Sequence, residues 1–137
     1  MASDPAWALQ QAVHGLLSAD VELTALLGGA RIHDEVPRGA AAPYVHLAEA
    51  SLRDWSTATE EGAEALFAVI VFSEAAGRRE SLAIAARLRA LLDDAALTLD
   101  GHRLVNLRHT ATETERDRKD GRRARLKFRA VVEPLTS

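Results

Sequence analysis

The sequence predicts an α+β fold, an antiparallel or mixed β-sheet with long β-hairpins packed against two or three α-helices. Apolar residues recur at helical spacing in 5–18 and again in 78–94. Other segments show the continuous apolarity or strict alternation of strands, most strongly 65–73 and 123–132. Two Asp-Gly pairs, Asp100-Gly101 and Asp120-Gly121, mark tight folds between extended runs. At 137 residues, one domain over 1–137 is expected, large enough to bury a core without metal or disulfide support.

Asp4-Pro5 opens the first helix, because Asp can accept from free backbone N–H groups and Pro fits the first helical position. Leu9, Val13, Leu16 and Leu17 then form its apolar stripe over 5–18. A second short helix begins at Asp20, has Glu22 in its first turn and turns Leu23, Leu26 and Leu27 inward. Gly28-Gly29 ends it, since glycine accepts the left-handed backbone that follows a helix. Residues 30–36 predict a short strand, 37–43 a loop, 43–53 a strand and 54–62 a polar connection. The run 65–73 is apolar on both faces, which predicts a central strand covered on both sides and paired with the previous strand as a hairpin. A helix follows Gly77, with Leu82, Ala85, Leu88, Leu91 and Leu92 buried and Arg78, Arg79, Arg87, Arg89 and Asp93 in water. Asp100-Gly101 then joins two strands as a tight hairpin, and the final ribbon folds at Asp120-Gly121.

That ribbon is the most informative stretch. Along its second arm Ala124, Leu126, Phe128, Ala130 and Val132 share one face, while Arg123, Arg125, Lys127 and Arg129 share the other. If its arms span 108–120 and 121–133, each is about 40 Å long. A compact chain of this size is roughly 37 Å across. The ribbon must therefore cross the whole fold or protrude, and the polarity of 110–120 favours protrusion. Charge is divided in the same way: residues 1–115 sum to −8 and residues 116–137 to +5. Such a split suits attraction between copies or an anionic partner, against the plainer reading of a solvated strand face.

Catalytic chemistry finds no foothold. With no cysteine there is no disulfide, thiolate nucleophile or cysteine-based zinc site. His14, His33, His46, His102 and His109 show no metal-ligand spacing, and in His33-Asp34-Glu35 consecutive strand residues point to opposite faces. There is no Gly-x-Ser-x-Gly elbow or phosphate loop, so no catalytic residue, metal or cofactor is expected. Nothing resembles a signal peptide, and no apolar run approaches the roughly 20 residues of a membrane helix, so no membrane partner is expected. Trp55 follows a strand within a polar connection, where it either folds back on its own fold or anchors an interface.

The order of elements, Pro43-Tyr44-Val45-His46-Leu47, Asp54-Trp55-Ser56-Thr57 followed by Gly62 and an apolar strand, the helix after Gly77-Arg78, and Asp100-Gly101-His102-Arg103-Leu104 resemble a known family. These are the tail-completion, or tail-terminator, proteins of long-tailed bacteriophages and related gene transfer agents. The resemblance covers nearly the whole chain. A content of 15 Arg against 2 Lys is similar to proteins of GC-rich bacteria and favours the gene-transfer-agent branch.

The resemblance implies a subunit made in the bacterial cytoplasm and assembled into the neck of a particle. There it forms a ring, typically a hexamer, that caps the head-proximal end of the tail tube and stops tube growth. Its implied partners are further copies of itself, the tail tube protein and the head-side connector, or stopper, with DNA passing through the lumen without specific binding. The candidate subunit or tube interface comprises Trp55, Ser56, Thr57, Arg116, Arg118, Arg123, Arg125, Lys127 and Arg129. In this reading the basic ribbon face meets acidic surface of the next copy or lines the lumen. The alternatives are another head–tail connector component, or a nucleic-acid-binding module using the basic ribbon. Against the latter, aromatic residues are only 4% of the chain, too few for base-stacking platforms.

Overall fold

In the computed structural model, which describes residues 4–48, 50–54, 62–75, 77–116 and 121–135, Asp4 caps the first helix as expected. Its Oδ1 accepts from the N–H groups of Ala6 (2.8 Å) and Trp7 (3.4 Å). Helix α1 spans Pro5–Ala19 and α2 Val21–Leu27, and Gly28 closes α2 at φ 79°. Strands β1 (Ile32–His33), β2 (Tyr44–Leu47), β3 (Ser51–Asp54) and β4 (Ala63–Ser73) follow. Helix α3 (Arg79–Leu92) leads to β5 (Thr98–Leu99), β6 (His102–Arg116) and β7 (Arg122–Pro134). The result is an α+β fold with one mixed sheet.

The sheet runs β1-β2-β4-β7-β6-β5, with β3 also paired to β4. β2 pairs with residues 69–72 of β4 and β3 with 63–66, so the two share one side of that long strand. The strand expected over 43–53 is therefore real but broken in two. The one expected over 30–36 shrinks to Ile32–His33, which pairs with β2 in parallel. The connection expected over 54–62 lies mostly outside the described residues.

Over its described residues the final ribbon does not protrude, while residues 117–120, with Asp120 of the expected fold, lie outside them. β7 pairs with β4 from Ala63↔Val132 to Ser73↔Arg122, and on its other side with β6 as far as Arg116↔Arg122. The ribbon crosses the whole sheet, and β4 supplies the third strand that an isolated hairpin lacks. The polarity of β6 misled the reading because this strand is at the sheet's margin, where its outer half meets water on both faces.

One face of the sheet carries the core. Val69 and Val71 of β4, Val45 of β2, and Ala124, Leu126, Phe128 and Ala130 of β7 meet Leu9, Val13 and Leu17 of α1 and Ile84 and Leu88 of α3 in one cluster. Among the described residues the second face of β4 has no helix over it, against expectation: Leu66 is 48% exposed, Ile70 and Phe72 are half-buried, and only Ala68 is buried. What lies beside these apolar groups is the basic row, in register as Leu66↔Arg129, Ala68↔Lys127, Ile70↔Arg125 and Phe72↔Arg123. Long cationic side chains shield apolar neighbours with their stems while keeping their charge in water, which makes a second helical layer unnecessary. On the helices, Leu26 and Leu82 are exposed where burial was expected. The stripe of α3 instead runs through Ser81, Ile84, Ala85, Leu88 and Leu92.

Asp20 ties the helices together. It lies between α1 and α2, its Oδ2 accepts from Leu23 N–H at 2.8 Å, and it receives two hydrogen bonds from Arg87 of α3 at 2.9 and 2.7 Å. These bonds, first among them the one from Arg87, hold the Asp20 carboxyl below the usual carboxylate range. Because the folded value is lowered, the stabilisation is present above the ordinary carboxylate pKa of about 4 and is lost as pH falls through the folded value. Asp20→Asn should therefore lower the urea midpoint at neutral pH, and its gap from the parent should close as pH falls below about 4.

Gly121 immediately precedes β7, where the chain passes the end of β4. A Cβ placed there would sit 2.4 Å from the carbonyl oxygen of Ser73. The constraint is close approach, not backbone freedom, since Gly121 does not have a positive φ. Gly121→Ala should cost about 1–3 kcal/mol in urea unfolding. Gly15→Ala, inside α1 with open space around it, should add about 0.5–1 kcal/mol.

Candidate functional site

Alternation along β7 delivers Arg123, Arg125, Lys127 and Arg129 to the sheet face away from the helices, as the sequence predicts. The structure adds their partners. Arg129 binds Glu64 of β4, with Nε and Nη2 each 2.7 Å from Oε2. Lys127 Nζ lies 2.8 Å from Glu113, and Arg123 Nη1 lies 3.5 Å from Glu115, both on β6. Arg125 stands opposite Glu113 in register. The hydrogen bond from Lys127 holds the Glu113 carboxyl below its usual range, and the charge of Arg125 contributes further. The row is therefore a ladder of cross-strand ion pairs, in which opposite charges on neighbouring strands stabilise register.

Of these glutamates, the two on β6 escaped the sequence reading. Glu113 and Glu115 alternate at period two, and that signal was present in the chain. Its meaning depends on the register of β6 against β7, which shifts between Leu104 and Asn106 and again between His109 and Ala111. Arg116 ends β6 opposite Arg122, whose other neighbour is the buried Ser73, so it stands outside the basic row. Trp55, Ser56, Thr57 and Arg118 lie outside the described residues.

At the Arg123 end of the row, the same face opens into a groove of about 910 Å³ beneath the loop that precedes β2. Val36, Pro37, Tyr44, His46, Phe72 and Arg123 are among its lining residues. Tyr44 stacks on Phe72 with ring centres 5.2 Å apart and planes inclined by 23°. His46 Nε2 lies 3.2 Å from the carbonyl oxygen of Asp34. Among the described residues, no three His, Cys, Asp or Glu side chains gather as metal ligands. Mixed apolar and charged lining on a broad open face suits docking of another surface more than turnover of a small molecule.

Comparison with known proteins agrees with the fold. The family model described as tail completion protein gp17 matches residues 11–133. A chain in a solved structure titled "Virion of native gene transfer agent (GTA) particle" is 39% identical, with a TM-score of 0.86. The match covers 96% of this chain and 99% of that one. No curated protein sequence is similar enough to match. With a family match across almost its whole length and a close structural counterpart in a virion, the chain belongs to the gp17 tail completion family of structural tail proteins.

Proposed function

We propose that copies of this chain form a ring, hexameric on the plan implied by the family resemblance, in the neck of a phage-like or gene-transfer-agent particle. The ring caps the head-proximal end of the tail tube, stops further addition of tube subunits and joins the tail to the head-side connector. DNA passes through the lumen without specific binding. The observation that carries this reading is the 39% identical counterpart in a gene transfer agent virion, matched over nearly the full length of both chains.

The mechanism is geometric. One ring face matches the last ring of the tube, and the other offers no surface that accepts another tube subunit. The ion-paired row supports a protein-facing role. Phosphate binding draws on Lys and Arg side chains free to displace the counterions condensed on the nucleic acid. Here Arg123, Lys127 and Arg129 already face Glu115, Glu113 and Glu64. The row, together with Trp55, Ser56 and Thr57, is the interface we assign to the neighbouring copy or the tube.

Electron cryo-microscopy of particles from the native source tests the location: density for this subunit as a ring at the top of the tail tube is expected, and its absence from the particle overturns the reading. Reversing Arg125 and Lys127 to Glu should cost the free fold about 1 kcal/mol through like charges across the strands. The same change should sharply reduce tail joining, measured as the yield of transducing particles. Normal yield would remove the row from the interface.

A further inference from the structure

The outer half of β6 is an open margin of the sheet. Near its middle the edge is sealed, because Asp94 N–H donates to Leu107 O at 2.8 Å and His109 N–H donates to Asp93 Oδ1 at 3.0 Å. Past the shift between His109 and Ala111 no further sealing bond is found among the described residues. Residues 112–116 pair with β7 on one side, have no strand on the other among the described residues, and are all exposed. An exposed edge of this kind offers unmet backbone N–H and C=O groups to another strand. Beside it runs a shallow groove of about 570 Å³, lined by Leu82, Ala85, Ala86, Ala90 and Thr112 among others. Leu82 stands 43% exposed there instead of joining the core.

The other side of the sheet carries a matching element. β3 pairs with β4 alone among the described residues, and all four of its residues are exposed. Its register sets Leu52 opposite the buried Ala65, on the helical face, and Arg53 opposite Glu64, on the face of the basic row. On β6 the faces divide in the same way. Thr112 and Thr114 stand opposite the buried Leu126 and Ala124, whereas Glu113 and Glu115 stand opposite Arg125 and Arg123.

We infer that β3 of one copy adds to residues 112–116 of β6 in the next, so that the sheet continues from subunit to subunit; this rests on the ring reading above. Face continuity restricts how the strands can meet. Arg53 must fall on the side of Glu113 and Glu115, which supplies an opposite charge across the new pair. With Arg53 opposite Glu113, either strand direction sets Leu52 beside Thr112 or Thr114. There its exposed side chain lies at the alanine-lined groove and meets Leu82. Charge and apolar surface are thus satisfied by one placement. The contact is also between two different edges, which is what a closed ring needs.

The chain has no cysteine, so introduced thiols are unambiguous reporters. Full-length subunit carrying both Arg53→Cys and Glu113→Cys is to be incorporated into particles and treated with a short thiol-to-thiol crosslinker. A ladder of covalent multimers on a denaturing gel is expected, with each single variant remaining monomeric. A ring present at the tail end but yielding only monomer overturns this contact and leaves the ring reading intact. A subunit absent from the particle overturns both. As an independent measure, Arg53→Glu should lower ring incorporation about tenfold or more, while Arg53→Lys retains it. Equal incorporation of the two variants would also overturn the contact.

Discussion

Strand β7 is paired along both edges, and the rest of the fold depends on that. A strand held by β4 on one side and β6 on the other cannot slip by one residue without exchanging its faces. Such a slip would carry Leu126 and Phe128 into water and bring Arg125 and Lys127 under the helices, at the cost of burying unpaired charge. The passage of Gly121 against the Ser73 carbonyl fixes one end of this arrangement. The hairpin at Asp100-Gly101 delimits the other end, where His102 meets Pro134.

Once β7 is placed, the two faces of the sheet separate in role. The helical face gathers the core, and Asp20 with Arg87 joins the three helices above it. The other face is covered by side chains rather than by another layer of elements. Its arginines and lysine lie beside the apolar residues of β4 and pair with glutamates from both neighbouring strands. A face built this way presents a fixed pattern of charge and apolar area. That suits recognition of another protein surface better than diffuse attraction to phosphates.

The margins of the sheet are arranged less conservatively. A protein that remains alone usually seals or shortens its edge strands. Here the sealing of β6 ends at His109 while the strand continues to Arg116. Two register shifts, which locally raise the twist of a strand, precede its outer half, where residues 112–116 are exposed. Among the described residues, β3 and the outer half of β6 are open margins on opposite sides of one sheet, and the ring proposed above needs two different surfaces on each copy.

Much of this was legible in the chain, because local chemistry sets local structure. Asp4-Pro5, Asp20 and Gly28-Gly29 delimited the first two helices, Asp100-Gly101 placed a hairpin, and alternation along 123–132 assigned the two faces of β7 correctly. The resemblance carried by the order of these elements and by Asp54-Trp55-Ser56-Thr57 identified the family. Pairing across long separations was not legible. Whether the ribbon protruded or crossed the sheet depended on β4, some 60 residues away in sequence, accepting β7 along its full length. Whether the basic side chains were free or matched depended on the register of β7 against β4 and on the register shifts in β6, which no periodicity within β7 encodes. Composition and alternation determine which groups a strand presents, but only tertiary pairing decides what those groups face, because a strand's partner is chosen by contacts distant in the chain.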